Sequence, residues 1–243
     1  MKLALISDIH GNLQALEAVL ADIDAVGVDE LACLGDIVGY GGDPAACLDL
    51  VRARRPVAVV RGNHDSYAAN DEEILGFNPA AAAATIWTRE QLSSEQRRWL
   101  ADQPLQATVA HGVALVHDSL LDPGSWSYMR FLQDGVLALA SQEPRLCFYG
   151  HTHVPMAFRR RGEDVEQFTD GEYDLADGDH WLVNVGSVGQ PRDGNWRAAW
   201  TLLDTEADRL TLRRVEYDVE TCMARILDAG LPERLAERLA HGR

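Results

Sequence analysis

The chain has 243 residues, 47% hydrophobic and 25% charged, with a formal charge of −16. That is enough chain to bury a substantial core as one large or two small domains, in an ordinary soluble composition. The acidity disfavours a surface for duplex nucleic acid, whose binding rests on Lys and Arg against phosphates.

From the N-terminus, "MKLALISDIHGN" is apolar only across Leu3 to Ile6 and has no small-residue cleavage site. It does not read as a signal peptide. No apolar run approaches the roughly 20 residues that span a bilayer, so a cytoplasmic location without membrane attachment is expected. "KLALI" suits a buried strand. Leu13, Leu16, Val19, Leu20 and Ile23 then recur at three- and four-residue steps, which predicts an amphipathic helix ending at Gly27. "ELACLGD" is a second strand. "DPAACLDLVRAR" is a second helix, with Asp43 as N-cap and Pro44 at its first position. "PVAVVRGNHD" is a third strand, completing the βαβ pattern of a mainly parallel sheet.

Residues 79–102 read as helical. "LQATVAHGVALVHD" reads as two strands around a turn at His111-Gly112, and a helix near 131–141 precedes the strand before "GHTH". Residues 155–217 are strand-like between Gly- and Asp-rich turns, and are expected to build much of a second sheet and one edge of a pocket. A helical stretch, 219–240, closes the chain. Without repeats or a Pro/Ser-rich linker, a single domain over 1–243 is expected. Cys33, Cys47, Cys147 and Cys222 form no CxxC pair and read as buried free thiols.

Five polar clusters follow apolar runs: "SDIHGN", "GDIVGYG", "RGNHD", "LVHDS" and "GHTH". In an open α/β sheet, ligands gather outside the carboxyl ends of the strands, so loops distant in sequence converge on one crevice. Each cluster alone has an ordinary reading. A strand-end Asp caps a helix, GNHD makes a turn, and GHTH is a surface turn. Together they supply Asp8, His10, Asp36, Asn63, His64, His117, His151 and His153. Carboxylates, an amide oxygen and imidazoles without thiolate suit Mn, Fe, Zn, Co or Ni better than Ca or Mg. Asp8 and His10, two apart at a strand end, point the same way and can share an ion. By the same period His151 and His153 would share one.

This set resembles the calcineurin-like metallophosphoesterases, whose pattern is DxH, GDxx, GNH[DE], a single His and GHxH. It appears as Asp8-Ile9-His10, Gly35-Asp36, Gly62-Asn63-His64-Asp65, His117 and Gly150-His151-Thr152-His153. "GDIVGYGGDP", "VHDSLLDP" and "NVGSVGQPRDG" are similar to the small bacterial and archaeal phosphodiesterases of that family. The resemblance implies a two-sheet α/β/β/α sandwich and two divalent metal ions, manganese favoured. It puts Asp8, His10 and His153 on the first metal and Asn63, His117 and His151 on the second. Asp36 would bridge them, and His64 would stand beside substrate, protonating the leaving alkoxide or binding a phosphoryl oxygen. A water deprotonated between the metals would attack phosphorus.

The partner implied is a small or nucleotide-type phosphodiester. A dinucleoside polyphosphate, a phosphomonoester and a non-catalytic scaffold are the alternatives, the last disfavoured because every ligand position is intact. A homodimer is compatible with the sequence. Gly39 and Tyr40 stand where Ser/Thr protein phosphatases of the superfamily carry Asp and Arg, which argues against that activity. Arg192 is a candidate for substrate phosphate, with a hairpin-turn arginine as the plainer reading. Asp118 either orients His117 or caps a turn. Asn184, Gly186 and Ser187 are expected to shape the loop beside the metals, and Trp181, Trp196 and Trp200 to pack the sheet. His111 competes weakly with His117 as the single-His ligand, and His180 and His241 are read as surface residues.

Overall fold

The computed structural model describes all residues from Met1 to Arg243. Strands β1 (Lys2–Ile6), β2 (Glu30–Cys33) and β3 (Ala58–Val59) alternate with helices α1 (Leu13–Val26) and α2 (Pro44–Ala53). The strands pair in parallel, β3-β2-β1. Helix α1 starts where the Asn12 side chain accepts from Ala15 N and stops at left-handed Gly27 (φ 69°). Asp43 stands at the N-cap position of α2, but its carboxylate makes no capping bond. It is held by the Arg225 guanidinium instead, with Nε at 3.1 and 3.2 Å.

The GNHD segment does not end as a turn. Asn63, His64 and Asp65 form the first turn of α3 (Asn63–Ala69). Helices α4 (Pro79–Gln91) and α5 (Ser94–Ala101) follow, then β4 (Gln106–Val109), β5 (Val113–Val116), α6 (Leu132–Ser141) and β6 (Leu146–Tyr149). The remaining strands are β7 (Met156–Arg161), β8 (Asp164–Phe168), β9 (Glu172–Asp174), β10 (His180–Asn184), β11 (Ala198–Asp204) and β12 (Arg209–Val215). The C-terminal helical stretch is two pieces, α7 (Val219–Asp228) and α8 (Glu233–Glu237), broken at Gly230 (φ 70°) and Pro232.

Two six-stranded sheets result, β3-β2-β1-β11-β12-β9 and β4-β5-β6-β10-β7-β8. The first is mixed, not mainly parallel, and residues 155–217 do not all join the second. β11 pairs antiparallel with β1, Leu3 opposite Leu203, and brings β12 and β9 with it. The physical reason is burial on both faces of β1. Ala4 and Ile6 pack under the helices with Trp200, while Leu3 and Leu5 face the other sheet with Leu203. The same period of two sends Leu146 and Phe148 of β6 between the sheets, and Cys147 and Tyr149 outward under α6. The layers are helix, sheet, sheet, helix.

Trp181 and Trp200 are fully buried sheet residues. Trp196 is not in a strand and packs on Tyr217 instead, ring centroids 5.8 Å apart. All four cysteines are buried and unpaired. No helix is long and apolar enough to cross a membrane.

Candidate metal centre

The loops after β1, β2, β3, β5, β6 and β10 meet at one end of the sandwich. Their backbone is strained where it matters. Asp8, His10, Asp36, Tyr40, His151 and His153 all have positive φ, between 50° and 63°. Each such residue costs on the order of 1–2 kcal/mol without glycine, a cost found where surroundings over-determine the conformation. Main-chain bonds stitch the loops: Asp8 N donates to Gly35 O (3.0 Å), His10 N to Asp36 O (2.9 Å), Gly150 N to His117 O (2.9 Å) and Gly189 N to Asp8 O (2.9 Å).

Three side chains complete the stitching. Asp65 Oδ2 accepts from Asp36 N (2.8 Å) and Gly62 N (3.2 Å), and its Oδ1 from Ile37 N (2.9 Å) and Val38 N (3.3 Å). Ser187 Oγ donates to Asp8 O (2.7 Å). Asn184 Nδ2 donates to Gly150 O (2.6 Å) and Thr152 Oγ1 (2.9 Å), so Asn184 and Ser187 do shape the loops of the crevice. Gly62 is required by close approach: a Cβ there would sit 2.1 Å from Asp36 Oδ1.

Two groups of potential ligands result, Asp8 with His10 and His153, and Asp36 with His117 and His151, and a third, His10 with Asp36 and His64, overlaps both. In the first, His153 Nε2 lies 3.2 Å from Asp8 Oδ1 and His10 Nε2 lies 3.7 Å from it. In the second, His117 Nε2 lies 3.3 Å from Asp36 Oδ2. That same oxygen is 3.6 Å from His10 Nε2, so one atom of Asp36 faces both groups. His151 and His153 therefore fall in different groups, and the GHTH turn straddles the pair.

Backbone carbonyls set the imidazole tautomers. His10 Nδ1 lies 3.1 Å from Val38 O, His117 Nδ1 2.7 Å from Leu34 O, and His153 Nδ1 2.7 Å from Gln190 O. Each neutral ring donates there and turns its Nε2 lone pair inward. His151 is reversed: Nε2 donates to Trp126 O (2.9 Å), leaving Nδ1 for the crevice. Burial first, then the Arg192 charge, push His153 down to about 3. Burial, then His117, push His151 down to about 4. Burial alone would raise Asp8, but the imidazoles, His153 foremost, outweigh it and hold the carboxyl well below the usual range. Burial opposes a charge on His117, yet Asp36 beside it raises the ring to about 10, so its Nε2 carries a proton until a cation takes that position.

The donors fit divalent cations. Asp8 Oδ1, Asp36 Oδ2, Asn63 Oδ1 and His117 Nε2 are buried and make no hydrogen bond. Such atoms are costly unless a ligand satisfies them. His10 Nε2 and His153 Nε2, both acceptors in the tautomers above, stand 3.1 Å apart. Facing lone pairs at that distance repel, and a cation between them removes the repulsion. Stripping divalent cations with a chelator is expected to lower the melting temperature. Saturation at about 100 times Kd is worth about 2.7 kcal/mol, or about 5–10 °C for a chain of this size. Calorimetry before and after Mn²⁺ is restored tests this; an unchanged midpoint would mean the crevice holds no ion tightly.

His64 lies beside both groups, its ring centroid 4.8 Å from His10 and packed by Tyr40 (4.4 Å) and Phe77 (4.5 Å). Burial pushes it well below the usual imidazole value. Gly39 (φ 92°) explains the missing acid of the protein phosphatases, since a Cβ there would sit 2.5 Å from His64 Nδ1. Arg192 is at the rim, with its N–H on His153 O (3.2 Å) and its guanidinium on Gln190 Oε1 (2.8 Å).

Asp118 does not orient His117. Its carboxylate caps a turn, accepting from Gly124 N (3.2 Å) and Trp126 N (2.5 Å). His111 lies in the turn between β4 and β5, at the far end of β5 from His117. His180 starts β10 and His241 is exposed in the C-terminal turn. Trp126 and Tyr128 carry positioning roles that the motifs do not announce, and Asp65, the acid of GNH[DE], has one that the motif leaves unexplained. Tyr128 stacks on His151 (4.3 Å, 14°). Only Asp65 left a signal, an acid three residues after a helix-opening glycine.

A sandwich of two mixed sheets that gathers His and Asp groups at its strand ends defines a metallophosphoesterase. Residues 1–208 match the calcineurin-like phosphoesterase superfamily domain, and the chain belongs to that superfamily. It is 37% identical to the uncharacterized protein MJ0912 of Methanocaldococcus jannaschii over 99% of this chain and 98% of that one. It is 30% identical to phosphodiesterase YfcE of Escherichia coli, over 85% of this chain and 89% of YfcE. The crystal structure of a metallophosphoesterase from Sphaerobacter thermophilus superposes with a TM-score of 0.88 at 40% identity, covering 100% of this chain and 99% of that one. The protein is a metal-dependent phosphoesterase.

Proposed function

We propose that the protein is a phosphodiesterase that holds two divalent cations, manganese favoured over iron, zinc, nickel or cobalt, and hydrolyses a small or nucleotide-type phosphodiester in the cytoplasm. The observation that carries this reading is Asp36 Oδ2, one buried oxygen facing two ligand groups. Asp8, His10 and His153 would hold the first ion, and Asn63, His117 and His151 the second, with Asp36 shared. Two such ions would supply Lewis-acid stabilisation of the phosphoryl charge and a water activated near neutral pH.

The chain's own groups do the rest. The carbonyls of Val38, Leu34, Gln190 and Trp126 hold the four imidazoles in the tautomers that face inward. His64, packed between Tyr40 and Phe77 and favoured neutral by burial, donates its N–H to the leaving oxygen or to a phosphoryl oxygen. The 30% identity to a phosphodiesterase supports diester over monoester chemistry.

The test compares bis-p-nitrophenyl phosphate, p-nitrophenyl phosphate and diadenosine tetraphosphate, each with Mn²⁺. Metal-dependent turnover of the diester above the monoester is expected. His64→Ala is expected to lower kcat by about 10²–10⁴-fold with metal content unchanged. A preference for the monoester would overturn the diester reading. No turnover of any ester after metal loading would favour a scaffold.

A further inference from the structure

Four backbone carbonyls orient the four candidate ligand imidazoles. In each case the residue that lends its carbonyl has its own N–H tied down. Leu34 N donates to Ile6 O (2.8 Å), Val38 N to Asp65 Oδ1 (3.3 Å) and Gln190 N to Ser187 Oγ (2.8 Å). Trp126 N donates to Asp118 Oδ2 (2.5 Å), and Trp126 O accepts from His151 Nε2 (2.9 Å). Asp118 therefore stands to His151 as Asp65 stands to His10 and Ser187 to His153.

His151 differs from the others in where its carbonyl comes from. Leu34, Val38 and Gln190 are buried. Trp126 lies in the irregular stretch between β5 and α6, where Leu121, Ser125, Ser127 and Tyr128 are exposed. Trp126 also has φ 57°, a strained left-handed conformation for a residue with a side chain. Without a partner for its N–H, the peptide relaxes toward negative φ and carries its carbonyl away from His151. The buried Asp118 carboxylate opposes this. It also accepts from Gly124 N (3.2 Å) and Ser125 Oγ (3.5 Å), so one side chain gathers the whole turn 124–126. The same stretch then lays Tyr128 on the His151 ring (4.3 Å, 14°).

Asp118 follows His117 in the chain, and the rings of His117 and His151 lie 5.1 Å apart in one ligand group. The acid next to one ligand thus holds the other. We infer that Asp118 is a positioning residue for the second metal ion: through the Trp126 carbonyl, with the Tyr128 ring, it fixes the His151 imidazole with Nδ1 turned into the crevice. This rests on the two-ion reading of the crevice. The rings of His10 and His153 are oriented by Val38 and Gln190 and make no hydrogen bond to residues 118–131. Removal of Asp118 therefore acts on one ion and spares the other.

The test titrates Mn²⁺ into the cation-free full chain by calorimetry and counts bound metal by elemental analysis. Wild type is expected to take up two ions. Asp118→Ala is expected to weaken one of them by about 10–100-fold, the usual cost of losing a group that orients a ligand, and to leave the other unchanged. Asp118→Asn keeps an acceptor for Trp126 N but sets its amide against Gly124 N, so its affinity should fall between those of Asp118→Ala and wild type. His151→Ala should weaken the same ion. Adding Asp118→Ala to it should cause no further loss of affinity, because positioning acts only through that ring. Melting curves establish that each variant is folded, and Asp118→Asn carries the same comparisons if Asp118→Ala does not fold. Two ions bound as tightly as in wild type, equal weakening of both ions, or additive losses in the double variant would each overturn the positioning role. Fewer than two ions in wild type would instead overturn the two-ion reading, and the positioning role with it.

Discussion

Asp36→Asn is expected to lose both of the proposed metals and to lower kcat/KM by about 1000-fold or more, on the order of 4 kcal/mol of barrier. Asp36 Oδ1 accepts from His64 N at 2.8 Å. An asparagine must keep its oxygen there, so its amide nitrogen takes the place of Oδ2. That place faces His117 Nε2 at 3.3 Å and His10 Nε2 at 3.6 Å. A shared acceptor becomes a donor with no lone pair to give. Metal analysis of the purified variant beside steady-state kinetics checks this. Two equivalents of metal with activity within tenfold of wild type would remove Asp36 from the bridging role.

Asp65→Ala is expected to destabilise the folded, metal-loaded protein by about 3–5 kcal/mol, lowering its melting temperature by about 6 °C or more. Both oxygens of this buried carboxylate are engaged, and four backbone N–H groups lose their acceptor together. Those N–H groups belong to the loops that present Asp36 and Asn63, so metal stoichiometry should fall too. Asp65→Asn should fare little better, because its amide would set N–H against N–H. A midpoint within 2 °C of wild type would show that the loops hold without the clamp.

Much of the site was readable because it is written in strand ends. Each apolar run of alternating burial stops at a polar cluster, and the α/β architecture puts those clusters at one edge. The α/β/β/α layering followed from the family likeness. Other features were not readable. GNHD looked like a turn because a seven-residue helix is too short to show a 3.6-residue period. Asp118 follows His117 directly, yet it turns away to cap residues 124–126, and the distant Leu34 carbonyl orients His117. Trp126 and Tyr128 have no motif because they act through a carbonyl and a ring face, which many residues can supply.

By itself the sequence determined the donor chemistry: two aspartates, an asparagine and imidazoles at the exits of apolar strands, beside glycines that permit close approach. It also determined the alternation that sends Leu3 and Leu5 to one core and Ala4 and Ile6 to another. The tertiary structure decided how β7 to β12 divide between the sheets, because strand partners such as Lys2 and Asp204 lie far apart in the chain and a period of two names no partner. It likewise decided which ring nitrogen each histidine turns inward and that His151 and His153 part company. Those outcomes depend on carbonyls and carboxylates delivered by loops remote in the chain, and local spacing carries no record of them.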